Sequence, residues 1–567
     1  MGYLPQMMEG QKSIDVVGEF RGYNHNPRIG ENEFWDMSNM TSSAYPLLSP
    51  REKRRLVRTF TGAANGIFAH EKLCWVDGGD FFYDGQVVAQ VEDSPKTFAA
   101  MGAQVIIWPD KILYNAETGV VEHLGQVNTT SGKVTAALCK MDGEVYDIKT
   151  VGTAPENPAN GDLYIDTGSD PHILRQWSEV GATWATVPTT YVKISGAGIG
   201  KGLGEYHGVT ISGMPEDKLN GDFVTYAAED DYIVVVGLIE QVVETEDAVT
   251  VERKIPDMEY VIEHENRLWG CSSEMHEIYA CKLGDPKNWN VFLGIASDSY
   301  ALTIGSQGDF TGAYAHMGYI MFFKGGVIHK IMGNKPANYQ LTSVEARGVA
   351  PGSERSLAMT RETLFYHAAG SDVCAYGTAM PQSISAPLGS VQYHDAVGGT
   401  VGSKYYLSML DESNRPHMFV YDADKGMWHR EDSARALQFA ELDHVLFFLD
   451  DRGRLWSIGG SEGHAERDLE WSAESGDIGL NIPFGKYIAK VILRVEIDDD
   501  ALMRVEFAYD GEDAWHEMAR FNMTSRRSFS VPIIPRRCDS MRIRLSGRGK
   551  SKVYSITKFI EEGSEVS

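Results

Sequence analysis

The chain has 567 residues, too many for one ordinary hydrophobic core, so its length predicts three or four domains. Apolar residues make up 43% of the chain and the formal net charge is −27. These values argue against extensive disorder and against general nucleic-acid binding, which needs a lysine and arginine footprint. The 58 glycines fall mostly between short β-like runs, which is typical of an all-β protein with many turns.

Residues 1–64 are predicted to form an extended arm that lies on another subunit. The segment is polar and irregular apart from isolated aromatic residues, of which Trp35 is the expected anchor. A basic cluster ends the segment and supplies the other candidate docking residues, which are Arg51, Lys53, Arg54, Arg55 and Arg58. The alternative is ordinary charge that is paired within the fold.

From residue 65 onward, short apolar strands recur between glycine, aspartate and asparagine turns. The later units begin about 40 to 50 residues apart, close to the blade period of a β-propeller. A single blade cannot bury both faces of its sheet, whereas blades stacked around an axis cover one another. The pattern predicts about six to seven blades, the first at 65–125 and the others at 259–462. An irregular stack of β-sandwiches is the alternative.

Residues 126–258 interrupt this rhythm and are predicted to form an inserted β-rich region of one or two small domains. Its hairpins carry Trp177 and Trp184, the candidate outward-facing aromatic residues, whose rings would stack on sugar faces. Packing of both rings within a small module is the alternative.

Residues 463–567 are predicted to form a C-terminal β-sandwich. In one strand, Met541, Ile543 and Leu545 alternate with polar residues, which indicates one buried face and one solvated face.

No motif predicts a catalytic, cofactor-binding or metal-binding residue. The glycine-rich string at 196–204 lacks the spacing of a phosphate loop, and the six cysteines include no C-x-x-C pair. The best hint of an enzyme is Asp451-Arg452-Gly453 before Trp456, which is partly similar to the aspartate box of sialidase propellers but occurs once. The chain is therefore predicted not to be an enzyme and to need no cofactor.

Four parts of the chain resemble proteins of tailed bacteriophages. The text EFRGYNHNPRIGENEFWDMSNMTSSAYPLLSPREKRR (19–55) resembles the opening of phage structural proteins. Residues 266–292 and 531–547 are similar to segments of prophage proteins from Gram-positive gut bacteria, and 152–166 resembles small modules of tail proteins. Among characterised families, the chain is most similar to the propeller-bearing tail nozzle, hub or stabilization proteins of short-tailed phages.

This resemblance implies a structural subunit of the virion, located in the tail or head-to-tail connector around the DNA exit channel and assembled in the host cytoplasm. The implied partners are further copies in a ring, usually a hexamer, portal, adaptor or other tail proteins, and tail fibres. Genomic DNA would pass through without specific binding, and no membrane insertion is expected. One alternative is a receptor-binding or baseplate protein that recognises a host surface glycan, and a second is a propeller glycosidase.

Overall fold

The computed structural model describes residues 12–467, 469–482 and 485–562, so the first eleven residues of the predicted arm lie outside the described residues. Strands make up nearly all of the regular structure. The described helices are single 3-10 turns at Asp217–Leu219, Pro336–Asn338, Glu354–Ser356 and Ala386–Leu388. The prediction of an all-β chain is confirmed.

Seven antiparallel sheets form a β-propeller, and in six of them the four strands are hydrogen-bonded in chain order. Blade 1 consists of Ala64–Ala69, Leu73–Asp77, Asp80–Tyr83 and Gln86–Gln90, and blade 2 of Thr97–Met101, Gln104–Trp108, Ile112–Asn115 and Val121–His123. Blade 3 consists of Tyr260–His264, Arg267–Ser272, Glu277–Ala280 and Tyr300–Thr303, and blade 4 of Phe310–His316, Tyr319–Lys324, Val327–Met332 and Gln340–Glu345.

Blade 5 consists of Ala358–Thr360, Thr363–Ala368, Asp372–Tyr376 and Gln382–Ser383, and blade 6 of Tyr393–Val401, Lys404–Asp411, Pro416–Asp422 and Met427–Arg430. Blade 7 combines Ala436–Leu442, Val445–Asp450, Arg454–Ile458 and the short His464–Ala465 with one strand from before blade 1, Arg55–Thr59. The strand Arg55–Thr59 pairs with Arg454–Ile458, so a segment from before blade 1 closes the ring.

Neighbouring blades share hydrophobic cores because both faces of each sheet are buried. In blade 4, Phe322 faces the core shared with blade 3, whereas Phe323 faces the core shared with blade 5. In blade 3, Leu268 faces the core shared with blade 2, and Trp269 faces the core shared with blade 4. Successive residues of a strand point to opposite faces, so a strand covered on both sides reads as a continuous apolar run. The last core joins blade 7 to blade 1 through Leu455 and Ile67.

The insertion between blades 2 and 3 has its own core. Its larger sheet contains Gln126–Thr129, Val134–Cys139, Tyr191–Ser195, Gly208–Ser212, Gly221–Glu229, Tyr232–Val236, Val243–Thr245 and Thr250–Arg253. Its smaller sheet contains Ile148–Val151, Leu163–Asp166, Ile173–Ser178 and Thr183–Thr186. Leu163, Ile165 and Leu174 of the smaller sheet pack into the core of the larger one, so the two sheets form one unit.

The C-terminal β-sandwich includes strands from both ends of the described chain. Its strands are Lys12–Val17, Phe34–Ser38, Glu470–Ser475, Lys486–Tyr509, His516–Val531, Arg537–Cys538, Met541–Arg548 and Ser551–Glu562. The long strand Lys486–Tyr509 spans both sheets, pairing first with Ser551–Glu562 and then with Met541–Arg548. The predicted alternation at 541–546 is confirmed, since Met541, Ile543 and Leu545 are buried.

The N-terminal segment lies on this same sandwich. Lys12–Val17 pairs with Ser551–Glu562 at one sheet edge, and Phe34–Ser38 pairs with Glu470–Ser475 at the other. A short hairpin, Met40–Thr41 with Ser49–Pro50, follows. The prediction of an arm that reaches another subunit is corrected for the described residues, because these strands complete the sheets of their own chain.

Candidate functional site

Two of the predicted docking residues, Arg51 and Arg54, are buried inside the chain. Arg54 contacts Glu431 at 2.6 Å and Asp432 at 2.8 Å, and Arg51 contacts Glu466 at 2.7 Å. Both arginine side chains are no more than 5% exposed. We call these five residues the arginine cluster. It joins the N-terminal segment to the loop between blades 6 and 7 and to the start of the sandwich, so the docking prediction for Arg51 and Arg54 is corrected.

The arginine cluster pairs two arginines with three carboxylates. Burial alone would lower the pKa of Arg54, yet Asp432 and Glu431 raise it above its ordinary value. Burial would likewise raise the pKa of Asp432, but Arg54 and Arg51 hold it below the ordinary value. Each side therefore keeps its charge because the other is present.

The other predicted docking residues have different surroundings. Arg58 lies over the rings of Trp75 and Phe82, with its guanidinium carbon 5.1 and 4.8 Å from their centroids. Arg55 donates to the carbonyl of Gly463, and Lys53 is exposed and donates to the carbonyl of Arg467. Trp35 is 36% exposed and stacks on His25, with ring centroids 4.3 Å apart. Lys53 and Trp35 are thus the members of the set that present most surface to solvent.

The axis of the propeller is crossed by Arg355, on the 3-10 turn before blade 5. Its guanidinium donates to the carbonyl of Leu437 in blade 7 at 3.0 Å and to that of Lys96, just before blade 2, at 3.2 Å. These three positions come from separate sectors of the ring, so the side chain closes the axis at this level. A DNA channel of the predicted kind would have to lie between subunits.

The sequence Asp451-Arg452-Gly453 belongs to a structural turn organised by the preceding residue, Asp450. The Asp450 carboxylate accepts hydrogen bonds from the backbone N–H of Arg452 and Arg454, from Nε of Arg454 and from Nε1 of Trp456. In blade 6, Asp411 accepts from Ser413, Arg415 and His417 in the same way. The motif thus occurs twice, as D-x-x-x-R-x-W and D-x-x-x-R-x-H, and it fastens the second and third strands of a blade.

Replacing Asp450 by alanine is expected to destabilise the fold by about 2–3 kcal/mol, because a buried acceptor of charge-assisted hydrogen bonds is removed and its donors lose their partner. Thermal unfolding of the variant measures the effect. Asp451→Ala changes the exposed neighbour and serves as the control, with an expected change within about 0.5 kcal/mol. Equal stability of the two variants would contradict this role of Asp450.

The smaller sheet of the insertion brings Trp177 and Trp184 together. They lie directly opposite each other on adjacent strands, with ring centroids 5.3 Å apart and planes inclined by 59°. Tyr164 packs edge-on against Trp184 at 4.7 Å. These three rings, which we call the aromatic platform, lie on the face opposite Leu163, Ile165 and Leu174, the residues that enter the core. Both indoles are half-buried, so part of each remains open to solvent.

A polar group flanks the aromatic platform on the same face. Arg175 lies two residues before Trp177, and its Nε donates to the Asp166 carboxylate at 2.7 Å. Its Nη1 donates to the Thr186 hydroxyl at 3.4 Å. The face therefore offers aromatic rings beside fixed hydrogen-bonding groups, the combination that stacks on and hydrogen-bonds to polyhydroxylated ligands.

A cleft of about 1100 Å³ separates the insertion from blades 2 and 3. Its blade 3 wall includes Met275 and Phe292, which are 60% and 58% exposed, and Tyr279. Asp298 shapes the loop that carries Phe292, since its carboxylate accepts from three successive backbone N–H groups, those of Leu293, Gly294 and Ile295.

The insertion wall of this cleft carries two carboxylates in one row. The register places Asp222 opposite Thr210, and Thr210 opposite Glu252. The Thr210 hydroxyl donates to Asp222 at 2.6 Å, and Lys254 lies 3.8 Å from Glu252. We call these two carboxylates the acid row. Two strand spacings separate them, which puts their backbones about 9–10 Å apart. The sequence could not reveal this row, because its three strands are not consecutive in the chain.

Within the described residues, no group of three or more His, Cys, Asp or Glu side chains is positioned to hold a metal ion. The same part of the chain contains no helix with the length and apolar character needed to span a membrane.

Comparison with known proteins gives matches to solved structures only. No family model and no curated protein matches the chain. An exo-β-1,3-galactanase from Phanerochaete chrysosporium with galactose matches at 10% identity and a TM-score of 0.21, over 52% of this chain and 95% of that chain. Hsv2 of Kluyveromyces marxianus matches at 10% identity and a TM-score of 0.25, over 60% of this chain and 94% of that chain. The WD40 domain of Toxoplasma gondii coronin matches at 10% identity and a TM-score of 0.24, over 74% of this chain and 88% of that chain.

The prediction that the chain is not an enzyme is corrected. It rested on the absence of a catalytic motif in the sequence, whereas the matched structures include an enzyme, the exo-β-1,3-galactanase. At these TM-scores, the matches assign no particular activity to this chain. The pairing of the strands shows the β-propeller, the inserted β domain and the C-terminal sandwich independently of these matches.

Proposed function

We propose that the chain is a carbohydrate-binding component of a tailed-phage particle and that the aromatic platform is its sugar site. The observation that carries the proposal is the register that sets Trp177 directly against Trp184 on the outward face of the smaller sheet. Indole rings bury the apolar C–H faces of sugars, and the neighbouring Arg175, Asp166 and Thr186 supply groups that hydrogen-bond to hydroxyls.

Replacing either Trp177 or Trp184 by alanine is expected to weaken binding of soluble Gram-positive cell-wall polysaccharide about tenfold, which corresponds to the loss of about 1.4 kcal/mol of stacking energy. Titration calorimetry of the intact chain measures the dissociation constant. Trp35→Ala removes an exposed indole outside the platform and should leave the dissociation constant unchanged. The proposal fails if the wild-type chain does not bind, or if both platform variants bind as the wild type does.

The particle context of this proposal comes from the sequence resemblance. A glycan-binding subunit must lie at an exposed tip of the tail, whereas a nozzle, hub or connector subunit lies near the portal and adaptor. Antibody labelling of whole virions under the electron microscope distinguishes these positions. The nozzle role, with its ring of copies and passing DNA, stays a prediction.

Hydrolysis of a glycosidic bond is the second candidate function, and the acid row favours it. Asp222 and Glu252 both line one cleft, and a pair of carboxyl groups that serve as acid and base is what inverting glycoside hydrolysis needs. The apolar side chains of Met275 and Phe292 on the opposite wall supply surface for a sugar ring.

A further inference from the structure

We infer that the aromatic platform takes consecutive sugars of a single twisted glycan chain in solution, and not the flat surface of a packed, insoluble polysaccharide. The inference rests on the proposed function, because it specifies the class of carbohydrate bound at that same site.

The two indoles are not coplanar. Their planes are inclined by 59° and their centroids are 5.3 Å apart, a separation comparable to the length of one pyranose unit. A ligand that stacks on both rings must therefore turn between one sugar and the next. A crystalline polysaccharide presents a flat array of sugar faces, and such an array can contact only one of two inclined rings.

The inclination is held by packing. Tyr164 is 8% exposed and meets Trp184 edge-on, with an angle of 78° between the ring planes. The strand pairing fixes the backbones of Trp177 and Trp184 directly opposite each other. Rotating either indole until the two are coplanar would disrupt these contacts, so the platform is preorganised for a twisted ligand.

The polar flank favours the same class of ligand. Arg175 is fixed by the Asp166 carboxylate and the Thr186 hydroxyl, and its side chain is 26% exposed. A single chain in solution exposes hydroxyls along its edges, which this guanidinium and these oxygens can reach. In a packed polysaccharide the hydroxyls at those edges are already hydrogen-bonded to neighbouring chains, so the polar flank could form few further hydrogen bonds with them.

The test compares soluble and insoluble forms of the same chemistry. The intact protein is mixed with chitohexaose and with crystalline chitin, and with soluble hydroxyethyl cellulose and microcrystalline cellulose, beside the soluble cell-wall polysaccharide. We expect binding confined to soluble chains, about tenfold weaker in Trp184→Ala and in Arg175→Gln, and unchanged in Trp35→Ala. Thermal unfolding confirms that each variant is folded.

The outcomes separate the inference from the proposed function. Binding to the crystalline forms that equals or exceeds binding to the soluble chains, and that still depends on Trp177 and Trp184, overturns the inference and leaves carbohydrate binding in place. Full affinity of Arg175→Gln for soluble chains also contradicts the role given to the polar flank. Absence of any binding that depends on the two tryptophans overturns both.

Discussion

Replacing Arg54 by methionine is expected to lower the free energy of unfolding by about 3–5 kcal/mol, the cost of breaking a buried ion pair by removing one partner. Methionine keeps most of the volume but leaves Glu431, whose side chain is 4% exposed, without the cation 2.6 Å away. Urea unfolding followed by tryptophan fluorescence measures the change. Arg55→Met removes a half-buried neighbour whose partner is a backbone carbonyl, and it should cost less than about 1 kcal/mol.

A triple variant tests whether the unpaired charge causes this loss. Replacing Arg54, Glu431 and Asp432 together by apolar residues should recover most of the stability, because no uncompensated charge is left buried. A triple variant as unstable as Arg54→Met would show that packing, and not charge, dominates.

The pH dependence of the arginine cluster follows from its carboxylates. Despite burial, the pKa values of Asp432 and Glu466 lie below their ordinary values, held there chiefly by Arg54 and Arg51. The unfolded chain therefore takes up these protons first as the pH falls. The stabilisation is present above about pH 4 and is lost at lower pH, when these groups protonate.

Replacing Glu252 by glutamine or Asp222 by asparagine is expected to reduce glycosidic bond cleavage about 10²- to 10⁴-fold, the usual contribution of a positioned acid or base. The Thr210 hydroxyl donates to the Asp222 carboxylate and orients it, and Asp222 would take the proton from water as it attacks the anomeric carbon. Glu252 would protonate the departing oxygen as its bond to that carbon breaks. Direct attack by a water that one carboxylate activates gives a product of inverted configuration.

Turnover of 2,4-dinitrophenyl glycosides of glucose, galactose, xylose and N-acetylglucosamine, in both anomeric forms, measures this activity. Proton NMR gives the anomer released first. Because this leaving group needs no protonation, Glu252→Gln should lose less activity on these substrates than Asp222→Asn. Glu244→Gln, an exposed acid outside the cleft, is the control. Turnover that persists in both acid-row variants, or that never occurs, excludes the cleft as a hydrolytic site.

The propeller could be predicted from the sequence because its strands are buried on both faces and carry local signals. The strand Tyr319–Lys324 is apolar from residue 319 to 323, and turns separate such runs at regular spacing. The closeness of Trp177 and Trp184 also follows a local pattern, since a short hairpin sets residues seven positions apart against each other. Strands that pair with their neighbours in the chain can therefore be recognised from a short stretch of sequence.

The arginine cluster and the acid row could not be predicted in this way. Arg51 and Glu466 are 415 positions apart, so nothing near Arg51 shows that its charge is matched. A basic run in a polar segment therefore resembled an exposed docking surface. The strands of the acid row, likewise, become neighbours only when the insertion folds.

The strand exchange at the chain ends has a consequence for biosynthesis. Residues 55–59 leave the ribosome early, yet their partners at 454–458 are made almost four hundred residues later. The strand Lys12–Val17 is separated from its partner Ser551–Glu562 by an even longer stretch of chain. Contacts of such long range slow folding, because a large loop must close before they form. The strands Lys12–Val17 and Arg55–Thr59 therefore stay unpaired until their partners, more than 390 residues later in the chain, have been synthesised.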